Sequence, residues 1–177
     1  MQPVMQSFRG HVPATDGAAF IAPGAALIGN VTVGKDSSIW YGCVVRADLE
    51  RIEIGDDVNV QDGALLHADP GLPVSLGDRV SLGHGAIVHG AVVESDTLIG
   101  MRATVLNGAR IGSGSVVAAG AVVRPGMIVP PNSLVAGVPA TIIRPAGDAE
   151  RDMITQATET YRELAVEHDR EVYRPER

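Results

Sequence analysis

Residues 93–135 read VESDTLIGMRATVLNGARIGSGSVVAAGAVVRPGMIVPPNSLV, and in this stretch an aliphatic residue returns at every sixth position. These positions are Val93, Ile99, Val105, Ile111, Val117, Val123, Val129 and Val135. A six-residue period fits neither the 3.6-residue turn of an α-helix nor the two-residue alternation of a strand. It is typical of a coil of short strands in which each side contributes one inward side chain. The spacing therefore predicts a parallel β-helix, most simply a three-sided one with about 18 residues per coil.

The same period covers most of the 177-residue chain. The earlier inward positions are Ile21, Leu27, Val33, Ile39, Val45, Ile54, Val60, Leu66, Leu76, Leu82 and Val88. The repeat extends from about residue 13 to about residue 138, which corresponds to about seven coils. We therefore predict an all-β solenoid domain over residues 1–140, with residues 1–12 as an edge strand that caps the first coil.

A helical period follows the solenoid. After Pro145, residues at helical spacing are Ala149, Met153, Ala157, Tyr161, Leu164, His168 and Val172. This pattern predicts one amphipathic C-terminal α-helix, which would bury its apolar stripe against the solenoid or a neighbouring subunit. Residues 141–177 are thus expected to form a connector and this helix, with a frayed tail after Tyr173.

Composition narrows the class of protein. The net charge of −7 argues against a nucleic-acid surface, and no stretch reaches membrane-spanning length without an interruption. Cys43 is the only cysteine, so an internal disulfide and a cysteine metal cluster are both excluded. The first twenty residues contain no apolar signal-peptide core, so we predict a cytoplasmic protein, with an organelle as the alternative.

Two interruptions of the period align residues on successive coils. Val45 and Leu66 are 21 residues apart, and a bulge within residues 46–53 accommodates the surplus over one coil. Leu66 and Val88 are 22 residues apart, and the loop Ala68–Pro73, with its Asp-Pro-Gly turn, holds the surplus there. Val45, Leu66 and Val88 are therefore predicted to occupy one inward column on three consecutive coils.

The residue after each member of this column should point outward, because side chains alternate along a strand. These residues are Arg46, His67 and His89. Strands of neighbouring coils lie about 4.8 Å apart, so the imidazoles of His67 and His89 can reach one metal ion through bonds of about 2.0 to 2.1 Å.

His84 lies on the preceding side of its coil. It comes five residues before His89, and an extended chain of that length covers about 15 Å, so His84 is not expected to complete the site within its own chain. The same counting aligns His84 with Asp62, 22 residues earlier. A three-fold axis would bring His84 of one subunit to the histidine pair of the next, and Arg46 to a carboxylate. We therefore predict a homotrimer with three intersubunit metal sites.

With these residues in place, the chain resembles the gamma-class carbonic anhydrase family from about residue 10 onward. The matching segments are Arg46-Ala-Asp48, Asn59-Val-Gln61-Asp62, His67, Gly83-His84-Gly85, His89-Gly90, Gly100-Met101 and Gly137-Val138-Pro139-Ala140. The histidine spacing is more specific than the repeat. The resemblance implies a left-handed parallel β-helix with a C-terminal helix, assembled as a homotrimer.

The resemblance also implies the chemistry. Zinc would be bound by His67 and His89 of one subunit and by His84 of the next. Three neutral imidazoles leave a fourth position for water, whose pKa zinc lowers to about 7, and the resulting hydroxide would hydrate carbon dioxide to bicarbonate. Fe²⁺ or Co²⁺ are alternative metals for such a site.

The family pattern assigns roles to polar residues as well. Gln61 would hydrogen-bond the metal-bound water, with Asn59 orienting it, and Tyr161 would reach toward the site from the C-terminal helix. The ion-pair network of the interface would consist of Arg46, Asp48 and Asp62.

The chain departs from the best-characterised active members of that family in two places. Leu49 follows Asp48 where those members carry glutamate, and the loop Ala68–Pro73 is short, with Asp69 as its only carboxylate. Proton export is therefore expected to limit turnover. The alternatives are a low-activity or non-catalytic metal-binding trimeric scaffold, a small thioester or ester hydrolase, and a hexapeptide acyltransferase, whose long arm-like loop this repeat lacks.

Overall fold

A computed structural model describes residues 2–173 of the chain, which wind into one solenoid and end in a helix. The helix is α1 (Asp148–Tyr173). The strands, in chain order, are β1 (Val4–Gln6), β2 (Phe20–Ile21), β3 (Ala26–Val33), β4 (Ser38–Ile39), β5 (Val44–Ile54), β6 (Asn59–Val60), β7 (Leu65–His67), β8 (Val74–Leu76), β9 (Ser81–Leu82), β10 (Ile87–His89), β11 (Val92–Val93), β12 (Leu98–Ile99), β13 (Thr104–Val105), β14 (Arg110–Ile111), β15 (Val116–Val117), β16 (Val122–Val123), β17 (Ile128–Val129), β18 (Ser133–Gly137) and β19 (Ala140–Pro145).

The strands stack on three faces of the coil. The first face contains the first halves of β3 and β5 with β7, β10, β13 and β16, and the second contains their second halves with β8, β11, β14 and β17. Because β3 and β5 pass unbroken around a corner, these two faces belong to one hydrogen-bonded sheet. The third face contains β2, β4, β6, β9, β12, β15 and β18, one strand from each of seven coils. The predicted parallel β-solenoid of about seven coils is therefore confirmed.

The register of the first face agrees with the counting from the sequence. Leu66 lies opposite Val45 on one side and opposite Val88 on the other. The pairing of β3 with β5 slips between Gly29 and Val31, so the surplus residues of β5 bulge out between Ala47 and Ile52. The second surplus lies between β7 and β8, in the predicted loop. Both insertions thus leave the inward column intact.

The interior is narrow and filled with aliphatic side chains. Leu27, Leu66 and Ile111, all at inward positions of the repeat, are completely buried. Such a core needs few aromatic residues, which agrees with the presence of only two Phe and one Trp in the chain.

At each end of the stack, one face is covered by an additional strand of the chain. β1 pairs in parallel with β3, with Met5 opposite Leu27, which confirms the predicted edge strand on the first coil. At the other end, β19 pairs with β18 in antiparallel fashion. The segment that the sequence predicted as a connector is therefore largely a strand, because the chain reverses direction at Val138 and Pro139 and returns along β18.

Helix α1 lies along the third face and extends back from the last coils toward the first. From the predicted stripe, Tyr161, Leu164 and Val172 pack against the core, whereas Met153 is 50% exposed. The buried apolar residues of the helix are Ile154 and Ala165, which the predicted stripe did not include. Near its end, the Tyr173 hydroxyl donates a 2.5 Å hydrogen bond to the Ile21 carbonyl of the first coil. The tail predicted to fray lies outside the described residues. Between residues 2 and 173, no helix is both long and apolar enough to cross a membrane.

Candidate metal centre

His67 and His89 lie side by side on the first face, at the ends of β7 and β10. They are direct partners in the parallel ladder, and their ring centroids are 4.9 Å apart. Nδ1 of His67 is 2.8 Å from Nε2 of His89. The structure therefore brings together the two imidazoles that the sequence placed on adjacent coils.

The remaining ring nitrogens lie beside acceptors, which favours an N–H on each of them. Nε2 of His67 lies 3.0 Å from Asp48 Oδ1, and Nδ1 of His89 lies 2.5 Å from Asn107 Oδ1. The amide orientation of Asn107 is set in turn, because its Nδ2 donates a 2.7 Å hydrogen bond to Asp69. A neutral imidazole carries one N–H, so two neutral rings with their N–H groups on these outer nitrogens present lone pairs at the facing nitrogens. Two lone pairs at 2.8 Å repel each other unless a proton or a cation lies between them, and such a donor set fits a metal ion.

Asp48 connects His67 to Arg46. Arg46 Nη1 lies 2.6 Å from Asp48 Oδ2, while the other carboxylate oxygen faces His67. Desolvation acts to raise the pKa of Asp48, but the hydrogen bonds from Arg46 and His67 outweigh it and hold the pKa below its ordinary value. Asp48 is therefore an anion that can stabilise positive charge on the His67 ring or on a metal bound to it.

His84 lies apart from this pair, in the turn after β9 on the third face. Its Nδ1 is 2.9 Å from Asp62 Oδ2, as the column counting predicted for these two residues, and its side chain is 48% exposed. Its Nε2 lies 3.3 Å from the Tyr161 hydroxyl. Within one chain, Asp62 thus pairs with His84, while Arg46 pairs with Asp48.

Asn59 and Gln61 form a hydrogen-bonded row on the third face. Gln61 Nε2 donates to Asn59 Oδ1 over 3.0 Å, and Asn59 Nδ2 donates to Ser81 Oγ over 2.7 Å. All three side chains are buried. Gln61 and His84 also line one cleft of about 400 Å³ between the third face and the start of α1. The row therefore fixes the Gln61 amide next to the third histidine.

Tyr161 is held above His84 by an aromatic contact. Its ring meets Trp40 edge-on, with centroids 5.1 Å apart. Burial raises the pKa of Tyr161, and the negative charge of Asp62 adds to the effect, so the hydroxyl stays protonated. The sequence placed Tyr161 near the site only through the family pattern, and the structure places it beside His84.

Two polar residues of this centre carry no role in the sequence analysis. Asn107 was not identified, although it lies 18 residues after His89, one coil further along the same side. Counting one more coil could have found it. Asp69 was recognised only as the carboxylate of the short loop, yet one of its oxygens lies within 4.8 Å of ring nitrogens of both His67 and His89.

An apolar stripe follows the first face beside the histidine pair. Its members are direct ladder partners on successive coils, and in the isolated chain they are half-buried or exposed. Leu65, the member of this stripe nearest His67 in the sequence, is 38% exposed. The stripe consists of Val44, Leu65, Ile87, Thr104 and Val122.

Comparison with known proteins identifies relatives of the whole chain. The profile of the family described as bacterial transferase hexapeptide (six repeats) matches residues 90–125. The carbonic anhydrase of Geobacillus kaustophilus is 46% identical over 137 residues, which covers 77% of this chain and 75% of that protein. The mitochondrial gamma carbonic anhydrase 1 of Arabidopsis thaliana is 41% identical over 169 residues. That match covers 92% of this chain but 62% of the plant protein, so the chain spans about three fifths of this relative.

Solved structures agree with the fold. The product of the Bacillus cereus BC4754 gene superposes with a TM-score of 0.92 at 37% identity, over 95% of this chain and 98% of that one. A hexapeptide transferase family protein from Anaplasma phagocytophilum superposes with a TM-score of 0.87 at 34% identity, over 92% and 96%. The solenoid is therefore a left-handed parallel β-helix, as the resemblance implied.

Proposed function

The chain belongs to the gamma carbonic anhydrase family, and we propose that it hydrates carbon dioxide to bicarbonate at zinc centres between the subunits of a homotrimer. The proposal covers the activity, the metal, its ligands and the assembly. One observation carries it: two imidazole nitrogens face each other across adjacent coils, 2.8 Å apart, while the outer nitrogen of each ring lies beside an acceptor.

His67 and His89 are the two ligands that one subunit supplies in this proposal. Their N–H groups are already taken by Asp48 and Asn107, so both lone pairs point at one place before the ion arrives. Nitrogens bound tetrahedrally at about 2.0 to 2.1 Å lie about 3.3 Å apart. The rings therefore need to separate by only about 0.5 Å to hold zinc.

His84 of a neighbouring copy is the proposed third ligand. Its Nδ1 faces Asp62, which leaves Nε2 as the nitrogen with the lone pair, and the side chain is 48% exposed. The apolar stripe of the first face lies beside the histidine pair and needs a cover, which a second copy supplies. Repeating this contact around a three-fold axis closes the assembly. We propose that Arg46 then pairs across the interface with Asp62 of the neighbour.

Zinc, when bound at this centre, supplies a water whose pKa is lowered to about 7. The chain's own residues have the tasks of holding and orienting the reactants. Gln61, fixed through Asn59 and Ser81, is proposed to hydrogen-bond the reacting water. Tyr161 is proposed to border the centre from α1. Turnover is expected to be modest, because the side chain that follows Asp48 is the apolar Leu49 rather than a proton-accepting glutamate.

An acyltransferase is the second candidate, because the Bacillus cereus BC4754 product carries the description "putative acetyltransferase" and the Anaplasma relative is named a hexapeptide transferase family protein. Enzymes of that kind need a long loop over a cleft for an acyl donor and use histidine as a base. Here the loop after His67 spans residues 68–73 only, and both histidines direct lone pairs at each other. These features favour the metal centre. Ester hydrolysis and a non-catalytic scaffold use the same metal site, and rate measurements on a panel of substrates separate them.

The identity of the metal ion and the cellular location of the protein are also part of the proposal. Zinc is the expected ion, while Fe²⁺ and Co²⁺ also suit three imidazoles. Because oxygen would oxidise bound Fe²⁺, the protein has to be purified without oxygen before its metal content is measured. The cytoplasmic location stays a prediction from the sequence, and the Arabidopsis relative is named as mitochondrial.

The decisive experiment measures bound metal and the stopped-flow rate of carbon dioxide hydration on the same anaerobically purified sample. The wild type should bind one metal per chain and hydrate carbon dioxide, and His89→Ala should lose both. Ile128→Ala, which removes an exposed aliphatic side chain from the second face, serves as the control and should change neither. Hydration that survives in His89→Ala would overturn the metal mechanism. A wild type that binds metal but does not hydrate carbon dioxide would instead support a non-catalytic scaffold or an ester hydrolase.

A further inference from the structure

Asp69 is the third potential metal ligand that one chain supplies by itself. A carboxylate oxygen of Asp69, a ring nitrogen of His67 and a ring nitrogen of His89 all lie within 4.8 Å of one another. His84 of the same chain lies outside this group, tied to Asp62 on the third face. The histidine pair of a single subunit is thus accompanied by a carboxylate rather than by a third imidazole.

The short loop between β7 and β8 turns Asp69 toward the histidines. The Leu72 N–H donates to the Asp69 carbonyl over 2.9 Å, and Gly71 between them has a φ of 75°, which suits glycine. The loop therefore folds back on itself two residues after His67. This turn places Asp69 near His67 and His89, where its side chain is only partly exposed.

Asn107 holds the carboxylate in that position. Its Nδ2 donates to Asp69 Oδ2 over 2.7 Å, while its Oδ1 accepts from His89. Gly90 makes room for this amide, since a β-carbon at position 90 would lie 2.7 Å from Asn107 Oδ1. One amide thus fixes both the tautomer of His89 and the place of Asp69. A carboxylate near two imidazoles is a donor set that binds divalent cations.

We propose that Asp69 is an in-chain metal ligand, so that one subunit holds a divalent cation through His67, His89 and Asp69 before a neighbour contributes His84. This inference rests on the proposed metal at the histidine pair. Two ligand atoms on one ion lie at most about 4 Å apart, so these three ligand atoms, which lie within 4.8 Å of one another, need to draw together by less than about 1 Å. When His84 of the neighbour arrives, it replaces the carboxylate.

The test removes His84 and asks what still binds the ion. In His84→Ala, Zn²⁺ is titrated against a competing chelator, with far-UV circular dichroism to verify folding. This variant should bind one Zn²⁺ per chain, and His84→Ala/Asp69→Asn should bind it more than about tenfold more weakly, since even outer-shell losses cost tenfold or more. The matched control is His84→Ala/Asp36→Asn, because Asp36 is an acidic corner residue with a φ of 57° that asparagine tolerates.

Each outcome decides the matter. Equal affinities in His84→Ala and His84→Ala/Asp69→Asn would overturn the inference. Loss of all binding in folded His84→Ala, with a metal-loaded wild type, would also overturn it while leaving the proposed function intact. A wild type that binds no metal would contradict both the proposed function and this inference.

A kinetic measurement covers the case in which His84→Ala does not fold. Metal-free wild type, Asp69→Asn and Asp36→Asn are mixed with Zn²⁺, and uptake is followed with a fluorescent chelator. Uptake should be about tenfold slower in Asp69→Asn alone, because the incoming Zn²⁺ then meets two ligands in the chain instead of three. Equal uptake rates in all three proteins would overturn the inference.

Discussion

The indole of Trp40 meets the ring of Tyr161 edge-on, at 5.1 Å between centroids and 81° between planes, and so sets the Tyr161 hydroxyl 3.3 Å from His84 Nε2. Trp40 also contacts Phe20, Tyr41 and His168 and is 3% exposed. Trp40→Ala should therefore lower the free energy of unfolding by about 3 to 5 kcal/mol, through a cavity under α1. Urea denaturation followed by circular dichroism measures this loss.

The matched control for this prediction is Tyr161→Phe, which keeps the ring and removes only the hydroxyl. Because that hydroxyl is at the rim of the contact, the free energy of unfolding should fall by less than about 1 kcal/mol. An equally large loss in both variants would show that the hydroxyl, and not the aromatic packing, secures the helix.

Gly90→Ala should weaken metal binding in addition to the loss of stability that a side chain at a positive φ brings. The new methyl group would lie 2.7 Å from Asn107 Oδ1 and so displace the amide that orients His89. Loss of such an outer partner typically costs about 10- to 100-fold in metal affinity. The measurement is Zn²⁺ affinity by chelator competition, together with the free energy of unfolding.

Gly120→Ala is the control, because Gly120 has a similarly positive φ of 70° and a β-carbon added there would meet no atom within 4 Å. Both variants place a side chain in the left-handed region, which costs about 1 to 2 kcal/mol. Metal affinity should fall in Gly90→Ala alone. A similar fall in both would assign the effect to backbone strain.

Acid should destabilise the start of α1 through Glu150. Hydrogen bonds from Arg144, reinforced by the Gly147 N–H, lower the pKa of Glu150 to about 2. Since the folded pKa lies below the ordinary value of 4.5, this stabilisation is complete above about pH 5. It is lost as the pH falls from about 4.5 toward 2.

Glu150→Gln should flatten the dependence of urea midpoints on pH between about 5 and 3, because the titrating group is gone. Glu163→Gln, on an exposed turn of the same helix, should leave that dependence as in the wild type. Identical curves for Glu150→Gln and the wild type would contradict the assignment.

Cys43 should resist thiol reagents in the folded protein. Its side chain is completely buried, its Sγ lies 3.1 Å from the Gln61 carbonyl, and burial raises the pKa of the thiol to about 11. The reactive thiolate is therefore scarce at about pH 8. A chromogenic disulfide reagent should label the native protein only as fast as it unfolds, and at once in concentrated urea. Val12→Cys, at a position that is 68% exposed, should show one immediately reactive thiol.

The repeat made the register of this fold predictable from the sequence. Because each inward aliphatic residue fixes its coil, counting placed His67 beside His89 and Asp62 beside His84, and the ladder and the ion pair agree. The two insertions did not disturb this counting, since each leaves the stack as a bulge or a loop.

The contacts that depend on side-chain reach could not be predicted in the same way. Asn107 lies in the same column as His89, yet the repeat does not predict which neighbouring side chain an outward asparagine will hydrogen-bond. The Glu150 carboxylate accepts a hydrogen bond from the Gly147 N–H at the start of α1, and one from each terminal nitrogen of the Arg144 guanidinium. That contact follows from the course of β19, which the six-residue period does not extend to. The pairing of ligands between subunits stays a prediction, because it concerns surfaces that meet only in the assembly.

The antiparallel strand β19 has a consequence for solubility. A stack of parallel strands repeating at about 4.8 Å has the geometry of an amyloid protofilament, and its open rim is a template onto which further chains can add. By folding β19 back over β18, the chain ends the third face with a strand of opposite polarity that a fresh coil cannot extend in register. A version cut after residue 139 should consequently polymerise end to end more readily than the full chain, because all three faces at that end are then open.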